Sequence, residues 1–139
     1  MYLFLLGFCY LSVADNIIVN TTYGPILGST QISDQGKTIN VFRGVPFAAD
    51  TGGANRWLPP QPRTPWGPEP LNCTENGPGC RQPHHNPDVP CNGQEGPRCQ
   101  SEDCLNLNIY CPAGAAPDPY GYPVMFWIYG GAFDEGPVE

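Results

Sequence analysis

Proline most constrains what this chain can fold into. Pro59, Pro60, Pro62, Pro65, Pro68 and Pro70 follow one another within twelve positions. Each lacks a backbone N–H and pushes its predecessor out of the helical region. Regular helix is therefore excluded there, and residues 45–100 show no helical periodicity. With 17 glycines and 18 prolines in 139 residues, the chain sits near the edge of low-complexity composition. Residues 52–100 hold 18 of these glycines and prolines. The chain is not disordered throughout, because 40% of it is hydrophobic and it carries three Trp, seven Tyr and six Phe. Ordered apolar segments bracket a long, loop-rich middle.

The flanks read as strands. Ile17–Val19 and Pro25–Ser33 are short β-prone runs broken at Gly24 and Gly28. Asp34-Gln35-Gly36 signals a turn, and Lys37–Phe42 is a further strand ending at Gly44, which together make a meander. Leu105–Tyr110 alternates apolar and polar residues, with Leu105, Leu107 and Ile109 on one half-buried face. Val124–Ile128 does not alternate and is expected to be a strand buried on both faces, as in a mostly parallel sheet. No helix is evident, so the helices that cover such a sheet are expected beyond Glu139.

The net charge is −7, and the six basic residues (Lys37, Arg43, Arg56, Arg63, Arg81 and Arg98) are scattered. That excludes a nucleic-acid partner, which needs clustered positive charge, and also a polybasic membrane surface. Residues 1–14, MYLFLLGFCYLSVA, read as a secretory leader with Ser12 and Ala14 before a cut at Asp15. No other apolar run approaches the ~18 residues of a membrane span. Cleavage removes Cys9 and leaves Cys73, Cys80, Cys91, Cys99, Cys104 and Cys111. An even set in a secreted chain reads as disulfides, with 15 possible connectivities. Sequons at Asn20 and Asn72 fit an extracellular protein. His84, His85, Asp88, Cys91 and Cys99 do not have zinc-ligand spacing, and the thiols of a secreted chain are expected to be oxidised. That stretch reads as a polar surface loop with no metal.

Four motifs, in order, carry a resemblance: Phe42–Ala48 (FRGVPFA), Arg56–Pro62 with Pro65-Trp66 (RWLPPQP, PW), Glu102–Pro112 (EDCLNLNIYCP) and Pro123–Phe133 (PVMFWIYGGAF). The chain resembles the N-terminal part of the type-B carboxylesterases and lipases, the cholinesterase-like α/β-hydrolases. Its GGAF ending and its PAG…PD linker are most similar to secreted fungal members. The departures are Asn106 where an aromatic is usual, Ala132 where glycine is commoner, and the rich cysteine set.

The resemblance implies an α/β fold of which this is the incomplete N-terminal portion, early strands plus Pro/Gly-rich loops. Residues 15–139 would be the first segment of a truncated carboxylesterase type-B domain. It implies an oxyanion hole built from the N–H groups of Gly131 and Ala132, with Gly130 supporting the turn and the Ala132 methyl narrowing the acyl pocket. It implies a Cys80–Cys104 disulfide closing a loop of about 25 residues, which contributes roughly 3–4 kcal/mol. Cys91–Cys99 and Cys73–Cys111 would use the remaining cysteines. Arg56 and Glu102 resemble a structural ion pair of the family.

The implied activity is carboxylic-ester or lipid hydrolysis through a serine acyl-enzyme, without cofactor. Its triad follows the oxyanion loop in the order Ser in G-x-S-x-G, then Glu or Asp, then His. Ser12, Ser29, Ser33 and Ser101 do not stand in that motif, and His84 and His85 precede the loop. The catalytic residues are therefore expected downstream, and the 139 residues alone are expected to be inactive and not to fold compactly. Two other readings stay open: a non-catalytic cholinesterase-like binding protein, and a stand-alone cysteine-rich secreted module.

Overall fold

The computed structural model describes residues 15–82 and 100–132. Its centre is a sheet of β1 (Asn16–Thr21), β2 (Gly24–Ile32), β3 (Thr38–Pro46) and β7 (Asn106–Pro112), in the order β1-β2-β3-β7. All three pairings along this path are antiparallel. A short β4 (Leu71–Asn72) joins β2 in parallel, and β5 (Gly79–Cys80) pairs β6 (Gln100–Ser101) in a separate parallel ladder. Among the described residues the only helical element is a 3-10 turn at Gly53–Asn55.

Local chemistry makes the meander. At the first turn the Thr21 hydroxyl donates to the Gly24 carbonyl (2.7 Å) and accepts from the Tyr23 N–H (3.1 Å). Gly24 takes φ +135°, and a Cβ there would lie 2.6 Å from Trp66. Trp66 stacks on Tyr23 with ring centroids 6.1 Å apart and donates its indole N–H to the Pro25 carbonyl (2.7 Å). The proline-rich arm is thereby stitched to the hairpin. The second turn falls at Asp34-Gln35-Gly36, where Gly36 has φ +73° and the Ser33 hydroxyl accepts from the Lys37 N–H.

Two glycines that read as strand breakers do other work. Gly28 lies inside β2, because the Phe42 ring and the Val41 carbonyl stand 2.5 Å from where its Cβ would be. Gly44 does not end β3. The register against β7 slips between Phe42 and Val45, and Gly44 adopts φ +64° there. That is a β-bulge, which adds one residue and bends the strand. The bulged Gly44 N–H donates to Asn108 Oδ1 at 2.9 Å instead of joining the ladder.

Beyond the Ser29–Val41 pair, β2 and β3 part. Cys73 fills the gap, donating its N–H to the Leu27 carbonyl and accepting from the Arg43 N–H, both at 2.7 Å. The core lies here: Ile26, Phe42, Val45 and Cys73, flanked by Ile17, Trp66, Leu71, Leu107 and Cys111.

One expectation is extended and one needs correction. On β7 the asparagine face is covered as well as the apolar one: Leu107 packs against the core and Asn106 is 7% exposed, while Ile109 and Tyr110 are 38% and 51% exposed. The loop at 76–80 lies over the asparagine face. Asn106 Nδ2 donates to the Pro78 and Cys104 carbonyls, and Asn108 Nδ2 donates to Asn76 Oδ1. Val124–Ile128 forms no strand, and its side chains are 76–95% exposed. A strand exists only by its ladder, and none of the described strands pairs with this segment.

Candidate oxyanion loop and its supporting residues

Gly130, Gly131 and Ala132 close the described chain. Gly131 takes φ +141° and Ala132 φ +55°. The first value is practical only for glycine, and the second is left-handed, a strained conformation for a residue with a Cβ. A Cβ added at Gly130 would meet nothing within 4 Å. No hydrogen bond among the described residues engages the N–H of Gly131 or Ala132. Consecutive N–H groups in an irregular turn, without a partner among the described residues, are suited to an anionic oxygen.

A second group of named residues meets around 100–106. The structure joins Cys80 to Cys104, 24 positions apart, with Cα atoms 4.9 Å apart. It sets Arg56 Nε 3.0 Å from Glu102 Oε1. These side chains are 55% and 34% exposed, so the pair stabilises the fold by less than about 1 kcal/mol. The Glu102 carbonyl also accepts from the Thr51 hydroxyl. Arg56 lies over the Trp57 ring at 5.3 Å from its centroid. Trp57 itself has φ +68° and is 90% exposed. The disulfide, the ion pair and the asparagine clamp thus all tie the loop-rich middle to the approach to β7. No hydrogen bond or salt bridge among the described residues connects this cluster with Gly131 or Ala132.

Cys73 and Cys111 are both free thiols, which corrects their expected pairing. They flank β3 on opposite edges, Cys73 on the β2 side and Cys111 opposite Asn40 on β7. Two strand spacings amount to about 10 Å, beyond the roughly 7 Å Cα reach of a disulfide. Cys73 is fully buried, and desolvation pushes its thiol pKa above the ordinary 9.0. His84, His85, Asp88, Cys91 and Cys99 lie outside the described residues, and so does the expected Cys91–Cys99 bridge. Among the described residues no three His, Cys, Asp or Glu side chains gather as metal ligands. No helix among them is long and apolar enough to cross a membrane.

An open depression of about 210 Å³ is lined by Gly44, Arg63, Leu71, Asn72, Asp103 and Asn106, among others. It contains no serine or histidine, so it offers no nucleophile–base pair. Sequence reasoning did not find the Asn106/Asn108 clamp. The available signal was the set of small residues facing it. A Cβ at Gly77 would lie 2.5 Å from the Asn106 amide, and one at Gly44 would lie 2.7 Å from the Gly77 nitrogen.

The model of the carboxylesterase family matches residues 15–138. A probable cholinesterase of Acanthamoeba polyphaga mimivirus is 40% identical over 139 residues, covering 99% of this chain and 22% of that protein. A carboxylic ester hydrolase of Bombus ignitus is 40% identical over 85% of this chain and 20% of its own length. Among solved structures, juvenile hormone esterase from Manduca sexta, with OTFP covalently attached, superposes with a TM-score of 0.73 at 33% identity. The match covers 88% of this chain and 22% of the esterase. The chain therefore spans about a fifth of the length of these relatives. On this evidence its sheet is part of an α/β-hydrolase fold, and the chain belongs to the carboxylesterase family.

Proposed function

We propose that these residues are the first segment of a secreted serine hydrolase of carboxylic esters, and that Gly131 and Ala132 supply its oxyanion hole. The observation that carries this reading is the Gly131–Ala132 turn, with its φ values of +141° and +55°, inside a family match over residues 15–138. As an ester carbonyl becomes tetrahedral, negative charge grows on its oxygen. Rigid N–H donors aimed at that oxygen lower the barrier, and removing one donor typically costs about 3–4 kcal/mol. Ala132 keeps its N–H, so alanine in place of glycine retains the donor and adds a methyl group at the acyl side.

The nucleophilic serine, its histidine base and the orienting acid would come from the part of the domain that follows. The serine attacks the carbonyl, the histidine takes and returns its proton, and water releases the acyl group. No cofactor enters this scheme. Residues 1–14 would act as the leader and 15–139 as the opening of the type-B domain. Secretion is supported by the apolar leader, the sequons and the Cys80–Cys104 bridge. The substrate class is a carboxylic or lipid ester, and the acidic, scattered charge favours no nucleic-acid partner.

Covalent labelling tests this reading. The whole protein is treated with a fluorophosphonate probe and digested, and the adduct is mapped by mass spectrometry. A single labelled serine within a G-x-S-x-G sequence C-terminal to residue 139 is expected. A whole protein with no reactive serine would overturn the hydrolase reading in favour of a non-catalytic binding role.

A further inference from the structure

The loop over the asparagine face of β7 contains an Asn-Gly pair, Asn76-Gly77. Asn108 Oδ1 accepts the Gly44 N–H at 2.9 Å. That fixes the Asn108 amide, because only its oxygen can accept, and leaves its Nδ2 as the donor. This Nδ2 donates to Asn76 Oδ1 at 3.2 Å. Asn76 Nδ2 and the Gly77 N–H make no hydrogen bond among the described residues. Both residues are half-buried. The fold also dictates the glycine, since a Cβ at residue 77 would lie 2.5 Å from the Asn106 amide. Without a Cβ, the Gly77 nitrogen has an open approach to the side chain before it.

We propose that Asn76 is a site of self-modification in the folded protein: its amide hydrolyses to a carboxyl group through a cyclic imide, and Asn108 polarises that amide. The Gly77 nitrogen gives its proton to solvent base and attacks Asn76 Cγ. The new N–C bond closes a five-membered ring, and negative charge gathers on Asn76 Oδ1. Asn108 Nδ2 already points at that oxygen, where a donor stabilises such charge. The bond from Cγ to Nδ2 then breaks, and the nitrogen takes a proton and leaves as ammonia. Water opens the ring at either carbonyl, to aspartate or to isoaspartate. In sum, one amide and one water become one carboxylic acid and one ammonia. Aspartate keeps an oxygen where Asn108 Nδ2 donates and makes that bond charge-assisted. Isoaspartate lengthens the main chain by one carbon beside Gly77. Gly77 is packed against both Asn106 and Gly44, where a Cβ on either glycine would come within 2.7 Å of its neighbour. The extra carbon therefore displaces the loop from β7.

The test is incubation of the folded whole protein in heavy-oxygen water at mildly alkaline pH, followed by peptide mapping. Residue 76 is expected to gain one heavy oxygen, and Asn76→Asp to gain none there. Asn108→Asp, with folding matched by circular dichroism, keeps an acceptor for Gly44 and removes the donor. Labelling should slow about 2–10-fold, the worth of one ordinary hydrogen bond. Asn108→Ala, which removes the donor without adding charge, should slow it likewise. In concentrated urea the contact is gone, so wild type and variants should label at equal rates. No label at residue 76 of the folded protein, after a time that converts the unfolded chain, would overturn the proposal. Equal rates in the folded wild type and variants, or a difference that persists in urea, would overturn it too.

Discussion

At the scale of single residues, glycine positions carry the most specific demands. Gly131 needs φ +141°, which alanine adopts only with strain. Ala132 already bears a left-handed strain on the order of 1 kcal/mol. We predict that Ala132→Gly leaves stability equal or slightly higher in thermal denaturation of the whole protein. Gly28→Ala places a Cβ 2.5 Å from the Val41 carbonyl, and backbone cannot step aside as a flexible side chain can. A loss of roughly 1–3 kcal/mol by urea denaturation is expected; an unchanged midpoint would mean that β2 and β3 do not approach as described. Cys73 gives a pH dependence. Burial raises its pKa in the folded state above 9.0, so the unfolded chain releases this proton first. Its contribution to stability is complete below about pH 9 and declines as pH rises through the folded-state value. Cys73→Ala should flatten that alkaline decline.

At the scale of elements, the meander was legible in the sequence because turns are local: Asp34-Gln35-Gly36 folds where it is written. The strand over Thr38–Pro46 was cut short because Gly44 looks the same in sequence whether it ends a strand or forms a bulge. The difference lies in Asn108, 64 positions away, which takes the Gly44 N–H. The LNLNIY alternation marked the apolar face of β7 but not the cover on its asparagine face, which comes from the Pro78 carbonyl and the Asn76 side chain, 28 and 32 positions away. Asn106→Leu would strand the Pro78 carbonyl and press against Gly77. We expect a loss of about 1–3 kcal/mol, with the Cys80–Cys104 bridge still intact by mass. That disulfide joins residues 24 positions apart. Cys80→Ala with Cys104→Ala should lower stability by roughly 3–4 kcal/mol in the chain-entropy account, read as a lower denaturation midpoint.

At the scale of the whole molecule, the buried core is small. Among the described residues it comprises Ile26, Val41, Phe42, Val45, Ala48 and Cys73. The most apolar stretch, Val124–Ile128, stands almost entirely in solvent. A sequence pattern can mark a segment as fit for burial, yet only neighbouring elements can bury it. Amide hydrogen exchange on isolated residues 15–139 should therefore show Val124–Tyr129 unprotected. Slow exchange across Val124–Tyr129 would contradict this description. The family was legible because its motifs sit at turns and close approaches, where few residue types fit. Two adjacent glycines after an apolar run would alone read as an ordinary turn, and only the other family motifs point Gly131 and Ala132 to an oxyanion.

The central claim is that Gly131 and Ala132 hold the oxyanion of an ester undergoing hydrolysis. It is tested most directly by the turnover of a short-chain nitrophenyl ester by the whole protein and by its Gly131→Ala variant, with folding matched by circular dichroism. Alanine keeps the N–H but holds φ +141° only with strain, so displacement of this donor predicts a fall in kcat approaching the roughly 10²–10³-fold of a lost donor, with little change in KM. An equal kcat in the two proteins, or a loss confined to KM, would contradict the assignment of this turn to the transition state.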